Sequence, residues 1–245
     1  MIIFERKYNR MFLKKVRKAL EEFSMIKSGD RVAVGLSGGK DSIFLLFCLK
    51  LIQQTAIKDF ELIGINIDMG LGMDMSPLVT FCKENKIPII IEKTNIAEVI
   101  FEERKEKNPC SLCSKLRKGA LVRVAKANNI NKIALGHNTD DVIETLFMNV
   151  LKVGKLGAFH PNIYHENNKI NIIRPIIYIR EPLIQKLVKE LNLPVIQSLC
   201  PEDKKTTREE MKKLLFALED NYNDAADKII HSLCNVDEKN LWKIK

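Results

Sequence analysis

A short apolar run, Arg31-Val-Ala-Val-Gly-Leu36, leads at once into Ser37-Gly-Gly-Lys-Asp-Ser42 and then into a second apolar run, Ile43-Phe-Leu-Leu-Phe-Cys-Leu49. That order reads as a strand, a glycine turn and a helix start, and few folds accommodate it. Gly38 and Gly39 let the backbone approach a bound group with no Cβ in between. The free N–H groups and the positive dipole end of the helix face the same point, which makes an anion site. Lys40 adds a point charge, Ser37 and Ser42 add hydroxyl donors, and Asp41 stands in the first helical turn. The spacing is not Gly-x-x-x-x-Gly-Lys-Ser/Thr, so the turn is not a Walker A loop. The plainer alternative is a glycine turn that merely joins a strand to a helix.

The pattern around that turn repeats. Strands are expected over 31–36, 61–67, 88–92, 132–135 and 170–173, with helices over 42–54, 76–86, 114–128 and 139–152 between them. Apolar strands separated by amphipathic helices predict a doubly wound, mostly parallel, five-stranded α/β sheet. In such sheets ligands bind at the carboxyl ends of the strands. Both 37–42 and 136–141 fall there. Residues 8–28 place Met11, Phe12, Val16, Ala19, Leu20 and Phe23 at helical spacing between Lys14, Lys15, Arg17 and Lys18, the mark of a basic amphipathic helix. The glycine-, histidine- and asparagine-rich stretch 153–170 reads as a loop or weak hairpin. Helices over 181–191 (opened by Glu181-Pro182), 206–219 (capped by Thr206 or Thr207) and 224–234 close the chain. The division is a basic helix at 1–28, an α/β domain at 29–180 and a helical extension at 181–245 packed on the same domain.

Composition bounds the setting. Of 245 residues, 46% are apolar and 29% charged, a globular balance. No apolar run approaches bilayer length, and Met1-Ile-Ile-Phe-Glu-Arg-Lys7 lacks the apolar core of a secretion signal, so a cytoplasmic protein without membrane partners is expected. The net charge of +9 favours a polyanionic partner. In the cytoplasm the six cysteines are not expected to form structural disulfides. Cys48, Cys82 and Cys234 read as small buried hydrophobes.

Two further segments carry chemistry. Gly136-His-Asn-Thr-Asp-Asp141 ends a strand and opens a helix. Asp140 and Asp141 suit a helix N-terminus, and beside a phosphate loop paired carboxylates suggest Mg²⁺ held through oxygen. His137 reads as a ribose or adenine neighbour without a proton role. A capped helix with nothing bound is the alternative. In Asn108-Pro-Cys-Ser-Leu-Cys-Ser-Lys-Leu-Arg-Lys-Gly119, Cys110 and Cys113 can converge on one metal centre. A structural zinc site needs a second cysteine or histidine pair, and none is present. Only Cys200, in Gln197-Ser-Leu-Cys-Pro201, stands in a comparable setting. Three thiols without a clear fourth ligand fit a [4Fe–4S] cluster with one open iron. A persulfide relay and simple packing remain open. Arg117, Lys118, Arg174 and Arg180 read either as solvated basic faces or as phosphate contacts.

Ser37-Gly-Gly-Lys-Asp-Ser42 resembles the PP-loop of ATP pyrophosphatases, which split ATP into AMP and pyrophosphate while adenylating a substrate. Together with the Cys110/Cys113 pair, the Gly136–Asp141 segment, the Arg174-Pro175 turn and Cys200, the chain is similar to the tRNA 2-thiocytidine biosynthesis (TtcA) family from about residue 10 through its last helices. Members of that family carry a [4Fe–4S] cluster on three cysteines and thiolate C2 of cytidine 32 in tRNA with ATP and Mg²⁺. The resemblance implies that Cys110, Cys113 and Cys200 hold the cluster. It implies nucleotide contacts from Ser37, Gly38, Gly39, Lys40, Asp41, Ser42, Gly136, His137 and Asp140. Catalytic roles fall to Lys40, Asp41, Asp141 and the three thiols. It also implies tRNA as partner, with phosphate contacts from Lys14, Lys15, Arg17, Lys18, Arg117 and Lys118. A sulfur donor (a cysteine desulfurase or free sulfide) and a homodimer belong to the same picture. One departure stands at 197–200, where members carry Cys-Asn-Leu-Cys and this chain keeps only the last cysteine. The uridine-54 thiolase branch has zinc fingers for which this sequence lacks the cysteines, and the lysidine synthetase branch lacks the three thiols. Sulfur transfer to another tRNA position or a small molecule, and a non-catalytic nucleotide-binding redox module, are the alternatives.

Overall fold

The computed structural model describes residues 1–55, 59–106, 109–202 and 207–242. The chain opens with a helical turn α1 (Arg6–Tyr8), a wider π turn over Asn9–Leu13 and α2 (Lys14–Glu22). This basic segment buries Phe12, Leu13, Val16, Ala19 and Leu20 while Lys14, Lys15 and Lys18 stay exposed. The helix stops at Glu22, short of residue 28, because Ser24 turns left-handed at φ +46°.

The α/β alternation then begins: β1 (Arg31–Gly35), α3 (Lys40–Gln54), β2 (Glu61–Asp68), α4 (Ser76–Glu84) and β3 (Ile89–Lys93). A short turn α5 (Ile96–Glu98) leads to α6 (Pro109–Ala127), β4 (Lys132–Ala134), α7 (Thr139–Met148) and a π turn over Asn149–Val153. β5 (Asn162–His165), β6 (Ile170–Ile173), α8 (Glu181–Glu190), α9 (Thr207–Asn221) and α10 (Ala225–Ser232) follow. Helix α6 starts at Pro109 rather than near 114, so both cysteines of the pair are helical. Asn108 and Thr206 lie outside the described residues, so the cap expected at 206 is not described.

The strands form one sheet in the order β3-β2-β1-β4-β6-β5. All neighbours are parallel except β5, which pairs antiparallel with β6, Asn162 opposite Ile173 and His165 opposite Ile170. The sheet is therefore six-stranded, not five-stranded. The stretch read as a loop or weak hairpin is the hairpin, closed by a tight turn at Glu166–Asn168 with Lys169 at φ +53°. Its half-exposed residues at the sheet edge lack the apolar run that marks an inner strand. β1 lies between β2 and β4, and the chain winds outward to β3 before returning to β4. The switch point of the sheet is thus the gap between the carboxyl ends of β1 and β4.

Two compact units result. The first, Met1–Asn138 with His160–Asp203, holds the sheet. α3 runs through it buried on nearly every side, from Ser42 to Ile52, as its unbroken apolar sequence dictates. Each fully buried Leu or Phe there contributes roughly 1.5–3 kcal/mol. Phe44 and Phe47 meet Phe12 and Tyr8 of the N-terminal segment at ring separations of 5.3–6.1 Å. The second unit, Thr139–Phe159 with Lys204–Lys245, is helical, and Ile143, Leu215 and Ala226 form its centre. Among the described residues no helix is long and apolar enough to cross a membrane.

Candidate functional site

The turn at 37–42 joins β1 to α3 at the switch point. Gly39 is the helix N-cap and no side chain caps it, so the first helical N–H groups face an anion unobstructed by a capping oxygen. The two serines brace the turn internally. Ser42 Oγ donates to the Gly39 carbonyl at 2.9 Å, Ser37 Oγ lies 3.2 Å from Ser42 Oγ, and Gly39 N donates to Ser37 Oγ at 3.2 Å. Their hydroxyls shape the loop rather than both pointing outward as donors. Gly38 sits at φ +84°, the left-handed region that glycine alone enters without strain.

Two neighbouring segments press on the turn. A Cβ on Gly136, just past β4, would stand 2.8 Å from the Asp41 carbonyl carbon and 2.9 Å from Ser42 N, so only glycine lets β4 exit against the first turn of α3. From the other side, Ile196 N donates to the Gly38 carbonyl at 2.9 Å, pinning the extended segment that ends at Cys200 across the loop. On β2, buried Asn66 donates to the Leu36 carbonyl at 2.7 Å and satisfies the backbone that enters the turn.

Charge is concentrated at the helix start. Lys40 Nζ lies 2.9 Å from Asp41 Oδ2 and 2.8 Å from Glu181 Oε1, at the N-terminus of α8. Burial works against the ammonium, but the charge of Asp41 and hydrogen bonds to both carboxylates outweigh it and hold Lys40 above the usual lysine range. Asp41 Oδ1 also accepts from Asn138 Nδ2 at 3.1 Å.

Gly136, His137 and Asn138 therefore adjoin the loop as the β4 exit. His137 Nδ1 accepts from Arg174 Nε at 3.0 Å, which places the proton of the neutral ring on Nε2. Arg174 is not a solvated basic residue. It is buried, its Nη1 donates to the His160 carbonyl at 2.6 Å, and burial lowers its pKa to about 10. Asp140 and Asp141 stand on the first turn of α7, in the second unit. Asp140 is buried, whereas Asp141 accepts from Arg208 Nη1 of α9 at 3.0 Å.

The thiols sort into two kinds. Cys48 and Cys82 are buried, and burial pushes both thiols up, Cys82 to about 11. Cys234 was expected to be buried as well but is exposed, because α10 ends at Ser232 and leaves it in the turn beyond. Cys110 and Cys113 lie three residues apart at the start of α6, on one helix face. Cys113 is half-buried, and burial pushes its thiol up. Arg117 beside it pulls the thiol partly down, and Cys200 and Cys110 push it up again, so both of these sulfurs lie within electrostatic reach of Cys113. Met69 Sδ packs 3.5 Å from Cys113 Sγ. Among the described residues no three His, Cys, Asp or Glu side chains are already gathered at metal-binding distance. The thiols are neighbours, not an assembled ligand set. Three soft sulfur donors suit iron and sulfide, and a structural zinc site would ask for a fourth protein ligand.

The contacts of Glu181, Asn138, Ile196 and Arg208 are not foreseen by the motifs. Glu181 shows in sequence only as the first-turn acid of a helix. The partners of the other three lie far along the chain. Of the basic residues, Lys14, Lys15, Lys18 and Lys118 are exposed, while Arg17 is tied to Asn9 Oδ1 at 2.7 Å and Arg117 to the Cys113 thiol.

Comparison with known proteins bears on all of this. A family model described as a PP-loop domain matches residues 7–218. The tRNA-cytidine(32) 2-sulfurtransferase of Pelobacter propionicus is 38% identical over 230 residues, covering 92% of this chain and 86% of the relative. That of Syntrophotalea carbinolica is 35% identical over 245 residues, covering 98% and 95%. Among solved structures, the U34-tRNA thiolase NcsA from Methanococcus maripaludis with its [4Fe-4S] cluster superposes with a TM-score of 0.76 at 28% identity, covering 93% of this chain and 78% of that one. An NH3-dependent NAD synthetase from Campylobacter jejuni, at TM-score 0.52 and 16% identity, shares the fold.

Proposed function

Because this chain belongs to the PP-loop domain family and, by identity over nearly its whole length, to the tRNA-cytidine(32) 2-sulfurtransferases, we propose that it replaces O2 of cytidine 32 in tRNA with sulfur in an ATP-dependent reaction. The observation that carries this reading is the hydrogen bond from Ile196 N, four residues before Cys200, to the Gly38 carbonyl of the phosphate loop. The strap that ends in Cys200 is hydrogen-bonded to Gly38, so the activating half and the sulfur half of the chemistry share one compact unit.

The cytidine C2 oxygen attacks the α-phosphorus of ATP, the bond to the β-phosphate oxygen breaks, and pyrophosphate leaves. The adenylated oxygen then departs as AMP when a sulfide attacks C2, so no net oxidation is needed. Activation is required because a carbonyl oxygen is otherwise a poor leaving group. The α3 N-terminus and the backbone of Ser37, Gly38 and Gly39 bind the pyrophosphate portion, with Lys40 as the counter-charge and Ser42 keeping the loop in shape. Gly136 and His137 border the nucleotide, His137 as an Nε2–H donor oriented by Arg174. Asp41 is the oxygen ligand that the first unit offers to Mg²⁺.

Cys110, Cys113 and Cys200 would hold a [4Fe–4S] cluster. When bound, that group supplies an iron with no protein ligand, to which an inorganic sulfide can attach. Arg117 favours the thiolate that Cys113 must present as a ligand. Lys14, Lys15, Lys18 and Lys118 offer exposed cations to tRNA phosphates. The sulfur comes from a cysteine desulfurase or free sulfide, the working form is a homodimer, and the site of action is the cytoplasm.

Mass spectrometry of tRNA nucleosides from cells with and without this gene tests the reading. Loss of 2-thiocytidine is the expected result, and an unchanged set of thionucleosides would overturn it.

A further inference from the structure

Two carboxylates from different elements share one ammonium at the phosphate loop. The Lys40–Asp41 contact, 2.9 Å, joins consecutive residues. The Lys40–Glu181 contact, 2.8 Å, joins the first residue of α3 to the first residue of α8, two helices that pack together. Both long-range partners are largely withdrawn from water, with side-chain exposures of 28% for Lys40 and 13% for Glu181. Glu181 Oε1 also accepts from Gln185 Nε2 at 3.2 Å, one turn along α8. Nucleotide phosphates arriving at the loop compete with these carboxylates for the Lys40 ammonium. Asp41 Oδ1, the oxygen not paired with Lys40, accepts a hydrogen bond from Asn138.

We propose that Glu181 is a positioning residue for the phosphate loop, which holds the Lys40 ammonium toward α8 until nucleotide phosphates compete for it. This rests on the ATP-binding part of the reading above and is independent of the tRNA position modified. Glu181 raises the threshold for phosphate entry through Lys40, without itself contacting the ligand. Here the pair sets how strongly the empty loop attracts phosphate.

The test is equilibrium binding of a non-hydrolysable ATP analogue in the presence of Mg²⁺, measured by displacement of a fluorescent nucleotide with ligand up to millimolar concentration. Glu181→Gln keeps the shape and removes the charge, and affinity is expected to rise about threefold to tenfold. The rise is expected to be larger with Lys40 present than in a Lys40→Met background, because only the former includes release of the lysine. Glu181→Ala gives the same sign and serves if the glutamine variant does not fold. An unchanged or weakened affinity overturns the proposal, and so does an equal rise in both backgrounds, which would mean that Glu181 acts on the phosphates by its own charge. Failure of the wild-type chain to bind any ATP analogue overturns the nucleotide reading itself and this proposal with it.

Discussion

At residues 37–42 the backbone shapes the proposed phosphate site, with an uncapped helix start, a left-handed glycine and two serines that hydrogen-bond within the turn. At Cys110, Cys113 and Cys200 side chains would make the proposed cluster site, two from the start of α6 and one from a strap arriving from beyond α8. The first is complete without its ligand. In the second, Cys110 and Cys200 lie within electrostatic reach of Cys113, but among the described residues no ligand set is gathered. The physical reason is that backbone N–H groups are fixed by the strand and helix that carry them. Thiols repel as they ionise, and only a cation between them offsets that repulsion. An anion site can thus be preformed at little cost, whereas a thiolate site waits for its metal.

The sharpest break between the two regions is Cys110→Ala. Thiolation is expected to fall by about a hundredfold or more, as loss of a metal ligand does, while binding of an ATP analogue stays within about twofold of wild type. Thionucleoside yield and calorimetric titration measure the two. A parallel loss in both would show that the halves are not separable. Gly136→Ala attacks the preformed side instead. Its Cβ would stand 2.8 Å from the Asp41 backbone, and overpacking of that kind costs roughly 1–3 kcal/mol. Thermal melting and nucleotide affinity should both drop, with cysteine reactivity unchanged.

Asn138→Ala is gentler. It removes the 3.1 Å donor from Asp41, worth about 0.5–1.5 kcal/mol in urea unfolding, and leaves the Lys40 contacts intact. The smallest effect is a pH displacement in the cluster-free chain. Burial holds the Cys113 thiol above the ordinary value, so its alkylation by iodoacetamide should accelerate at higher pH than that of an exposed cysteine. The sign for stability follows: a thiol raised on folding favours the folded chain below the ordinary thiol range, and that contribution is lost as pH rises through the folded value. Arg117→Gln should move the alkylation curve higher still, since the guanidinium now pulls it down. A curve that moves lower would contradict the assigned contact.

The comparison also explains which parts were legible beforehand. Ser37–Ser42 and Gly136–Asp141 announce themselves because the residues that shape them are neighbours in sequence. The parallel core strands are legible as apolar runs, but β5 is not, since an edge strand with half-exposed residues has no such run. Cys234 looked like its buried counterparts because burial depends on where a helix ends. Arg174 and Arg180 could be assigned neither to solvent nor to phosphate from their spacing, and the packing that buries Arg174 between His137 and the His160 carbonyl comes from three separate segments.

The sequence by itself determined a glycine turn between a strand and a helix, the parallel α/β alternation around it, and the burial of Cys48 and Cys82. All of these follow from local backbone preference or residue chemistry. Only the tertiary structure decided that β4 exits against the first turn of α3 through Gly136, that Glu181 shares the Lys40 ammonium, and that the Cys200 strap is hydrogen-bonded to Gly38. Those are contacts between distant segments, and their geometry exists only once the sheet order has brought the carboxyl ends of β1 and β4 side by side.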